Sequence, residues 1–444
     1  MDNCPSIANF TAGPTAGLTS ATPPSPTHDP SCKALNQLTP QDRAFHDWYR
    51  FILSFPPHLV RHYLTQFQVT PQQTVLDPFA GTGTTLVECK KLGIPCVGTE
   101  ANPMAHFASQ TKLRWSVNPQ QLQHHAQQIA EATHSDLALL SLDGLRPTLS
   151  PEAAKLLLKN AISHRPLHKV LTLLGRIDQS PHPDFYAHER LALAKVAVLA
   201  SNLRFAPEIS VTKRPKEDAQ VVDLWLAAID AIATDLTTIT PRSTSPSQVH
   251  LGDARSLQQL PPQSIDAVIT SPPYPNEKDY TRATRLESVL LGFFHNKAEL
   301  QAIKKTLVRS NSRSIYTQDT DDQVIAHYPS VVKVAQEIDR RRQAWGKTSG
   351  FSRLYARATK LYFGGMVKHF TNLAPALRPG ARLAYVVGDQ ASYLQVHIKT
   401  GQLLAEIAQS LGYELVDIHL FRTRRASKTA VDLREEVVIL RWPG

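Results

Sequence analysis

The sequence predicts an α/β fold in which a mostly parallel sheet is interrupted by a helical insertion. Two observations support the sheet. The stretch Thr74–Leu76 leads into a glycine loop and then a helix, and the apolar stretch Ala267–Ile269 ends at tandem prolines. The insertion spans residues 118–240, where apolar side chains recur at three- and four-residue steps and no convincing strand is found. Functional groups are therefore expected beyond the carboxyl ends of the strands, where open α/β sheets bind ligands.

The composition is that of a globular protein with an anionic partner. The chain of 444 residues is 42% hydrophobic and 19% charged, with a formal net charge of +10. It has no apolar run of membrane-spanning length. Its cysteines form no Cys-x-x-Cys pair, so neither a disulfide framework nor a metal site is expected and an intracellular, cytoplasmic location is favoured. They are Cys4, Cys32, Cys89 and Cys96.

The N-terminal part divides into a tail and the beginning of the sheet domain. Residues 1–40 are rich in Pro, Ser and Thr and lack a secretory signal, so they are predicted to be a disordered tail. Residues 41–117 open with an aromatic segment, in which Phe55-Pro56-Pro57 begins a helix. Periodicity alone is equally consistent with a helix that simply covers the edge of the sheet.

A glycine loop and an acidic residue form the first candidate binding site. The loop holds Gly81 and Gly83, and glycines are required where backbone comes close to a ligand. The third glycine of a dinucleotide-binding fingerprint is missing, so a dinucleotide is not predicted. Glu100 follows the next strand, Cys96–Thr99, about 17 residues beyond Gly83, which fits an acid that binds a ribose.

The insertion at 118–240 is predicted to be a helical bundle with its own small core. Val222, Trp225 and Ile229 illustrate the helical spacing. The histidines of the insertion show no metal-ligand spacing. A Ser/Thr/Pro linker follows, and the sheet domain resumes over residues 249–294 with the strand Val249–Leu251 and the sequence Gly252-Asp253-Ala254.

The strand Asp266–Thr270 runs into a rigid corner, Ser271-Pro272-Pro273-Tyr274, which is the most specific functional signal in the chain. Each proline fixes its own φ and keeps the preceding residue extended, so the carbonyls of the corner point in set directions. A proline-rich turn after any strand is the plainer alternative for this tetrapeptide alone.

A basic segment and the last strands complete the chain. Residues 295–370 hold 14 Lys and Arg against 6 acids, with aromatic residues interleaved. Contact with DNA is favoured over a solvated helical face, and the cluster Arg340-Arg341-Arg342 is its most concentrated part. Residues 371–444 are predicted to add the last strands, of which Glu414–Phe421 and Glu435–Arg441 form an antiparallel pair separated by a basic loop that includes Arg422 and Arg424.

In this order the motifs resemble those of the amino-methylating DNA methyltransferases. The resemblance implies a Rossmann-like, seven-stranded class I methyltransferase sheet and S-adenosyl-L-methionine (SAM) as cofactor. Residues 41–117 would hold motif X (the helix that begins at Phe55-Pro56-Pro57), motif I (the glycine loop) and motif II (Glu100). Residues 249–294 would hold motif III (Gly252-Asp253-Ala254) and motif IV (the Ser-Pro-Pro-Tyr corner). The implied cofactor-binding residues are Asp77, Phe79, Gly81, Gly83, Thr84, Glu100 and Asp253, and the implied catalytic residues are Ser271, Pro272, Pro273 and Tyr274.

The resemblance also implies a role for each group. Asp77 would face the ammonium and carboxylate end of SAM, Glu100 its ribose hydroxyls and Asp253 its adenine amino group. Ser271 Oγ and the Pro272 carbonyl would hold the hydrogens of an exocyclic amine, and Tyr274 would stack on a base flipped out of double-stranded DNA. The Ser-Pro-Pro-Tyr form points most directly to cytosine N4 as the acceptor.

Three alternatives to cytosine N4 methylation stay open at this point. The first is methylation of adenine N6 in DNA, and the second is methylation of an exocyclic amine in RNA. The third is a nucleic-acid-binding protein that has kept the fold and lost catalysis, which is disfavoured because both the cofactor and the acceptor motifs are intact. The oligomeric state, the recognition sequence and the insertion that reads DNA cannot be inferred from the sequence.

Overall fold

A seven-stranded sheet organises the computed structural model, which describes residues 38–50, 54–143, 148–205, 208–239, 245–275, 279–425 and 432–444. The expected tail, residues 1–40, lies almost entirely outside the described residues. The strands are β1 Val75–Asp77, β2 Cys96–Glu100, β3 Leu203–Arg204, β4 Ser210–Val211, β5 Ser247–Leu251, β6 Ile265–Thr270, β7 Leu377–Gly388, β8 Glu414–Arg425 and β9 Asp432–Arg441.

Fourteen α-helices are found in the described part of the chain. They are α1 Pro57–Gln66, α2 Thr84–Lys91, α3 Pro103–Lys112, α4 Pro119–Asp143, α5 Pro151–Leu156, α6 His164–Gln179, α7 Tyr186–Ala200, α8 Val221–Leu236, α9 Tyr280–Ala283, α10 Arg285–Leu290, α11 Lys297–Thr306, α12 Pro329–Ala344, α13 Gly350–Leu373 and α14 Thr400–Ser410.

The order of strands across the sheet is β5-β2-β1-β6-β7-β9-β8. The first five strands in this order run parallel, β9 is antiparallel to β7, and β8 pairs with β9 as an antiparallel edge hairpin. This is the predicted α/β class, a Rossmann-like sheet of seven strands closed by an antiparallel pair. The carboxyl ends of β1, β2 and β6 therefore meet at one edge, where the candidate site lies.

Alternation along the central strands gives each face of the sheet its own core. Val75 of β1 and Ile269 of β6 belong to one buried cluster, whereas their neighbours Leu76 and Val268 belong to the other. Successive side chains of a strand point to opposite faces, so a strand buried on both sides reads as a continuous apolar run. Helices α1–α3 pack on the first face, and α13 and α14 cover the second.

The helical insertion does not have the separate core that its sequence suggests. Helices α4–α8 bury Trp225 and Leu191 in the same cluster as Phe45 and Leu86 of the sheet domain. Trp48 Nε1 also donates to Asp235 of α8 over 2.8 Å. Periodicity shows which face of a helix is apolar and cannot show what covers it. The expectation that the insertion lacks strands is also wrong, because β3 and β4 form a short antiparallel pair.

Two boundaries expected near the C-terminal part are displaced. Helix α13 begins at Gly350, and its buried Tyr362 and Phe370 lie in the core beneath the sheet, so residues 350–370 of the predicted basic insertion belong to a covering helix. Strand β8 continues to Arg425, so Arg422 and Arg424 lie in a strand, whereas the sequence suggested a loop. Both arginines contact Glu435 across the hairpin, which favours the extended pairing over a loop.

Candidate active site

A cavity of about 420 Å³ lies beyond the carboxyl ends of β1, β2 and β6. Its volume falls within the usual range of small-molecule sites. The predicted site residues that line it are Phe79, Gly81, Thr84, Glu100, Ser271, Pro273 and Tyr274. Residues from a region of the chain nearly 200 positions long thus meet at one place. Asp77, Gly83, Pro272 and Asp253 are not among the residues that line the cavity.

The glycine loop between β1 and α2 brings backbone against the cavity. Gly81 has a φ of +52° and Gly83 a φ of +85°, a region that side chains disfavour. A β-carbon added to Gly83 would lie 3.0 Å from Ser109 Cβ of α3, so space as well as backbone conformation selects glycine here. The loop ends as the N-terminus of α2.

Asp77 lies directly beneath this loop at the end of β1 and is fully buried. Its Oδ1 accepts the hydroxyl of Thr270 over 2.6 Å and the N–H of Phe79 over 3.1 Å. Its Oδ2 is buried with no hydrogen-bond partner among the described residues. Burial raises the pKa of this carboxyl to about 6. An unpaired buried acceptor costs about 1–3 kcal/mol, so the position favours a ligand or water that donates to it.

Glu100, at the end of β2, bridges two backbone segments of the cavity wall. Its Oε2 accepts the N–H of Gly81 over 2.8 Å, and its Oε1 accepts the N–H of Asn102 over 2.7 Å. Each oxygen retains a lone pair for a further donor. Burial raises the pKa of this carboxyl to about 7. The residues present therefore fit SAM, because the lining combines a glycine cradle at Gly81 with a buried acid, Glu100, whose spare acceptors match the hydroxyl-bearing part of the cofactor.

The Ser-Pro-Pro-Tyr corner forms the adjoining wall. The Ser271 hydroxyl donates to the Val386 carbonyl of β7 over 3.1 Å, which leaves the lone pairs of its oxygen as acceptors. The ring of Tyr274 packs against the backbone of Gly388 at the end of β7. The corner is thus supported by the neighbouring strand at both ends.

The sequence is similar to those of known DNA methylases. Residues 31–110, which contain the glycine loop and Glu100, match the family model N6_N4_Mtase, described as "DNA methylase". The chain is 23% identical to the Type II methyltransferase M.BsoBI of Geobacillus stearothermophilus over 93% of this chain and 88% of that one. It is also 23% identical to the Type II methyltransferase M.AvaI of Anabaena variabilis, over 89% and 83% of the two chains.

The chain is thus similar to the DNA methylase family over residues 31–110 and to Type II methyltransferases over most of its length. A solved structure, TrmN from Thermus thermophilus, is 12% identical with a TM-score of 0.30, and the match covers 90% of this chain but only 52% of that one. That similarity is too low to support a conclusion about the site.

Asp253 is not among the residues that line the cavity. Its carboxylate is paired with Arg255 over 2.6 Å, and Arg255 also pairs with Asp321 over 2.6 Å. The neighbouring Ala254 lines the cavity instead. Arg255 is only two positions from Asp253 in the sequence. Its pairing with Asp253 could not be predicted, because Arg255 is also held by Asp321, which comes from a distant segment. A direct contact of Asp253 with an adenine would require this pair to open.

Two cavity walls come from segments that sequence motifs did not identify. Thr306 ends α11, and Val308 and Asn311 belong to the segment after it, which continues to Ser314. Phe421, Arg422, Arg424 and Glu435 belong to the C-terminal hairpin. The dense Ser and Asn content of 310–314 is the one signal that the first segment offered. Asp279, at the start of α9, joins this wall to the corner by pairing with Lys304 over 2.6 Å.

Lys112 is a buried amine that supports the glycine loop from below. Its Nζ donates to the Thr82 carbonyl and to the His46 carbonyl, each over 3.1 Å. Burial lowers the pKa of this ammonium to about 7. The residue ties the N-terminal segment to the loop. Nothing in its sequence context, the end of an ordinary helix, distinguishes it from a surface lysine.

His369 of α13 has a comparable supporting position. It lies 5.0 Å from the ring of Phe79, centroid to centroid, and burial lowers its pKa to about 4, so the ring is neutral. Nδ1 lies 2.8 Å from the Ala254 carbonyl and Nε2 lies 2.6 Å from the Tyr385 hydroxyl. A carbonyl can only accept, so Nδ1 carries the proton and Nε2 accepts from Tyr385.

The arginine cluster predicted to contact DNA is already paired. Arg340 and Arg341 both contact Glu337, each over 2.7 Å, and Arg342 contacts Asp339 over 2.8 Å. These are pairs three and four residues apart on one helix, the arrangement of a solvated face. The cluster therefore has less capacity to attract phosphate than its sequence suggests.

Among the described residues, no helix is long and apolar enough to cross a membrane. In the same ranges, no group of three or more His, Cys, Asp or Glu side chains is placed to hold a metal ion.

Replacing Glu100 with Ala is expected to weaken SAM binding at least severalfold while the protein stays folded. The change removes the acceptor for two cavity-wall N–H groups and for the ligand, and each unpaired donor costs about 1–3 kcal/mol. Because burial raises the Glu100 pKa to about 7, wild-type affinity should rise severalfold from pH 6 to pH 8 as the carboxylate forms. Calorimetry measures both, and an affinity unchanged in the variant would remove Glu100 from the site.

Proposed function

We propose that this protein is a SAM-dependent methyltransferase that methylates double-stranded DNA at an exocyclic amine of a flipped base, cytosine N4. The observation that carries the proposal is one cavity lined by both the glycine loop with Glu100 and the Ser271–Tyr274 corner. Direct methyl transfer requires that the cofactor and the amine that accepts the methyl group bind in the same cavity. The DNA methylase family and the Type II methyltransferase relatives support DNA as the substrate.

The acceptor step depends on two oxygens of the corner. An exocyclic amine is a poor nucleophile because its lone pair is delocalised into the ring. Acceptors that hold its hydrogens favour a pyramidal nitrogen, and fixed acceptors stabilise the charge that develops during transfer. Ser271 Oγ is held in position because its own hydrogen is used on the Val386 carbonyl. The Pro272 carbonyl, whose direction is restricted by Pro273, would be the second acceptor, although Pro272 is not among the residues that line the cavity.

The cofactor end is held by the first two strands. When bound, SAM supplies the electrophilic methyl group on its sulfonium. Glu100 would accept hydrogen bonds from the ribose hydroxyls, and Gly81 would leave room for the cofactor to approach the loop. Asp77 is buried beneath the loop and would act on the ammonium end from behind the cavity wall. Phe55 and Ser54, just before α1, line the same cavity and fit the expected covering role of this segment.

Cytosine N4 is favoured over adenine N6 by the serine that begins the corner. The test is to incubate purified protein with SAM and double-stranded DNA, digest the product, and identify the methylated nucleoside by mass spectrometry. N4-methylcytosine is the expected product. N6-methyladenine alone would correct the base and leave the reaction class intact.

RNA of the same sequence serves as the comparison substrate in that experiment. Methylation of RNA with none in DNA would overturn the proposed substrate, and methylation of neither, with SAM bound, would favour a binding protein. The Type II names of the relatives suggest a modification role beside a restriction enzyme, and protection of the methylated DNA from restriction digestion would support it.

A further inference from the structure

The fourteen cations of residues 295–370 divide into two groups of equal size. Seven pair with carboxylates in the structure. The others have no carboxylate partner among the described residues: Lys297, Lys305, Arg313, Lys333, Lys347, Arg353 and Lys360. Paired cations have little charge left for phosphate, so a nucleic-acid surface is expected among the unpaired ones.

Arg313 is one of two unpaired cations that directly precede a cavity residue in the chain; the other is Lys305. It lies in the short 3-10 helix Ser312–Ser314, and both Asn311 and Ser314 line the cavity. The Asn311 side chain accepts the backbone N–H of Arg313 over 3.0 Å, which ties the position of Arg313 to the cavity wall. Arg313 is exposed, so its guanidinium stands beside the cavity and not inside it.

An exposed aromatic ring adjoins this arginine. The Arg313 guanidinium lies 6.0 Å from the ring centroid of Phe351, at the start of α13. Phe351 is 55% exposed. A second large ring, Trp345 at the end of α12, is 45% exposed, and the unpaired Lys347 and Arg353 lie on either side of Phe351 in the sequence. Interleaved cations and exposed rings are the composition of a surface that binds nucleic acid.

We propose that Arg313 and Phe351 form a DNA contact at the mouth of the cavity, with Arg313 binding a phosphate and Phe351 packing against a sugar or base beside the target nucleotide. This inference rests on the proposed function and adds the location of the DNA. Charge complementarity argues for the partner, because the surface is cationic and has no carboxylate paired to it. The partner must also place a group in the cavity, and a DNA duplex meets this requirement when its target base flips out into the cavity.

The test measures binding of a short random-sequence DNA duplex by fluorescence anisotropy over a range of NaCl concentrations. Arg313→Gln should weaken binding severalfold and lower the slope of log affinity against log salt by about 0.9, because one phosphate contact is lost. Phe351→Ala should weaken binding about fivefold or more with the slope unchanged, and Phe351→Tyr should restore it. Arg340→Gln is the matched control and should change neither value, since Arg340 is paired with Glu337.

The outcomes separate this surface from the function on which it rests. If Arg313→Gln keeps the wild-type salt slope while wild-type protein binds and methylates DNA, the surface is wrong and the function stands. A slope lowered by Arg340→Gln instead would move the contact to the α12 cluster. Wild-type protein that neither binds nor methylates DNA would overturn both. SAM affinity and the melting temperature should equal the wild-type values in every variant.

Discussion

Gly388→Ala should reduce turnover on the order of 100-fold while SAM still binds. A β-carbon on Gly388 would lie 2.7 Å from Tyr274 Cε2 and 2.9 Å from Cδ2, closer than carbon atoms approach each other. The Tyr274 ring must therefore move, and a displacement of about 1 Å at a reacting centre can cost about 100-fold in rate. Single-turnover rates with saturating SAM and DNA measure the effect, and calorimetry reports SAM affinity.

A matched glycine and a double variant sharpen the test. An added β-carbon at Gly175 of α6 meets nothing within 4 Å, so Gly175→Ala should leave turnover unchanged. If Gly388 acts through Tyr274, Gly388→Ala should cost little more in a Tyr274→Ala background. Fully additive losses would mean that Gly388 acts on something else, such as Glu435, whose Cγ lies 3.3 Å from the added atom.

Tyr274→Ala should lower turnover by a factor on the order of 10 to 100 and leave SAM affinity nearly unchanged. Stacking of a base on an aromatic ring is worth about 1–3 kcal/mol, and without the ring a flipped base is neither held nor aligned. Tyr274→Phe should be much milder, because the stacking face survives the loss of the hydroxyl. Rates at saturating DNA, with SAM affinity by calorimetry, make the comparison.

The Phe variant decides the role of the ring. If Tyr274→Phe is as damaging as Tyr274→Ala, stacking is not the role of Tyr274 and its hydroxyl acts in the reaction. A large loss of SAM affinity in both would instead place the ring against the cofactor. Equal melting temperatures of the two variants are needed to exclude a simple loss of folding.

Local signals predicted the sheet and the parts of the site that lie at strand ends. The conformations of the stretch Ala267–Ile269, the glycines after Asp77 and the tandem prolines each depend on a few neighbouring residues. The strand, the loop and the corner could therefore be predicted from the sequence. Their convergence also followed, because parallel strands place their carboxyl ends at one edge. Glu100 and Ser271 accordingly line one cavity.

Contacts between distant segments were not predictable in the same way. Asp253 has the sequence context of a cofactor acid, yet its charge is used by Arg255, which is itself held by Asp321. Arg340, Arg341 and Arg342 form the densest positive run, yet carboxylates one helical turn away pair with them. Lys112 is buried only because the glycine loop and the N-terminal segment close over it.

The pairing of β1 with β6 has a consequence for how the chain folds. Thr74 donates to the Asp266 carboxylate across this pair, 192 positions later in the chain. Closing so long a loop costs entropy before any strand contact compensates for it, and proteins rich in such distant contacts fold slowly. Helices α4–α8, whose contacts are more local, are therefore expected to form before the two halves of the sheet meet. Because the cavity needs both halves, a chain emerging from the ribosome cannot assemble its active site until nearly all of it has been synthesised.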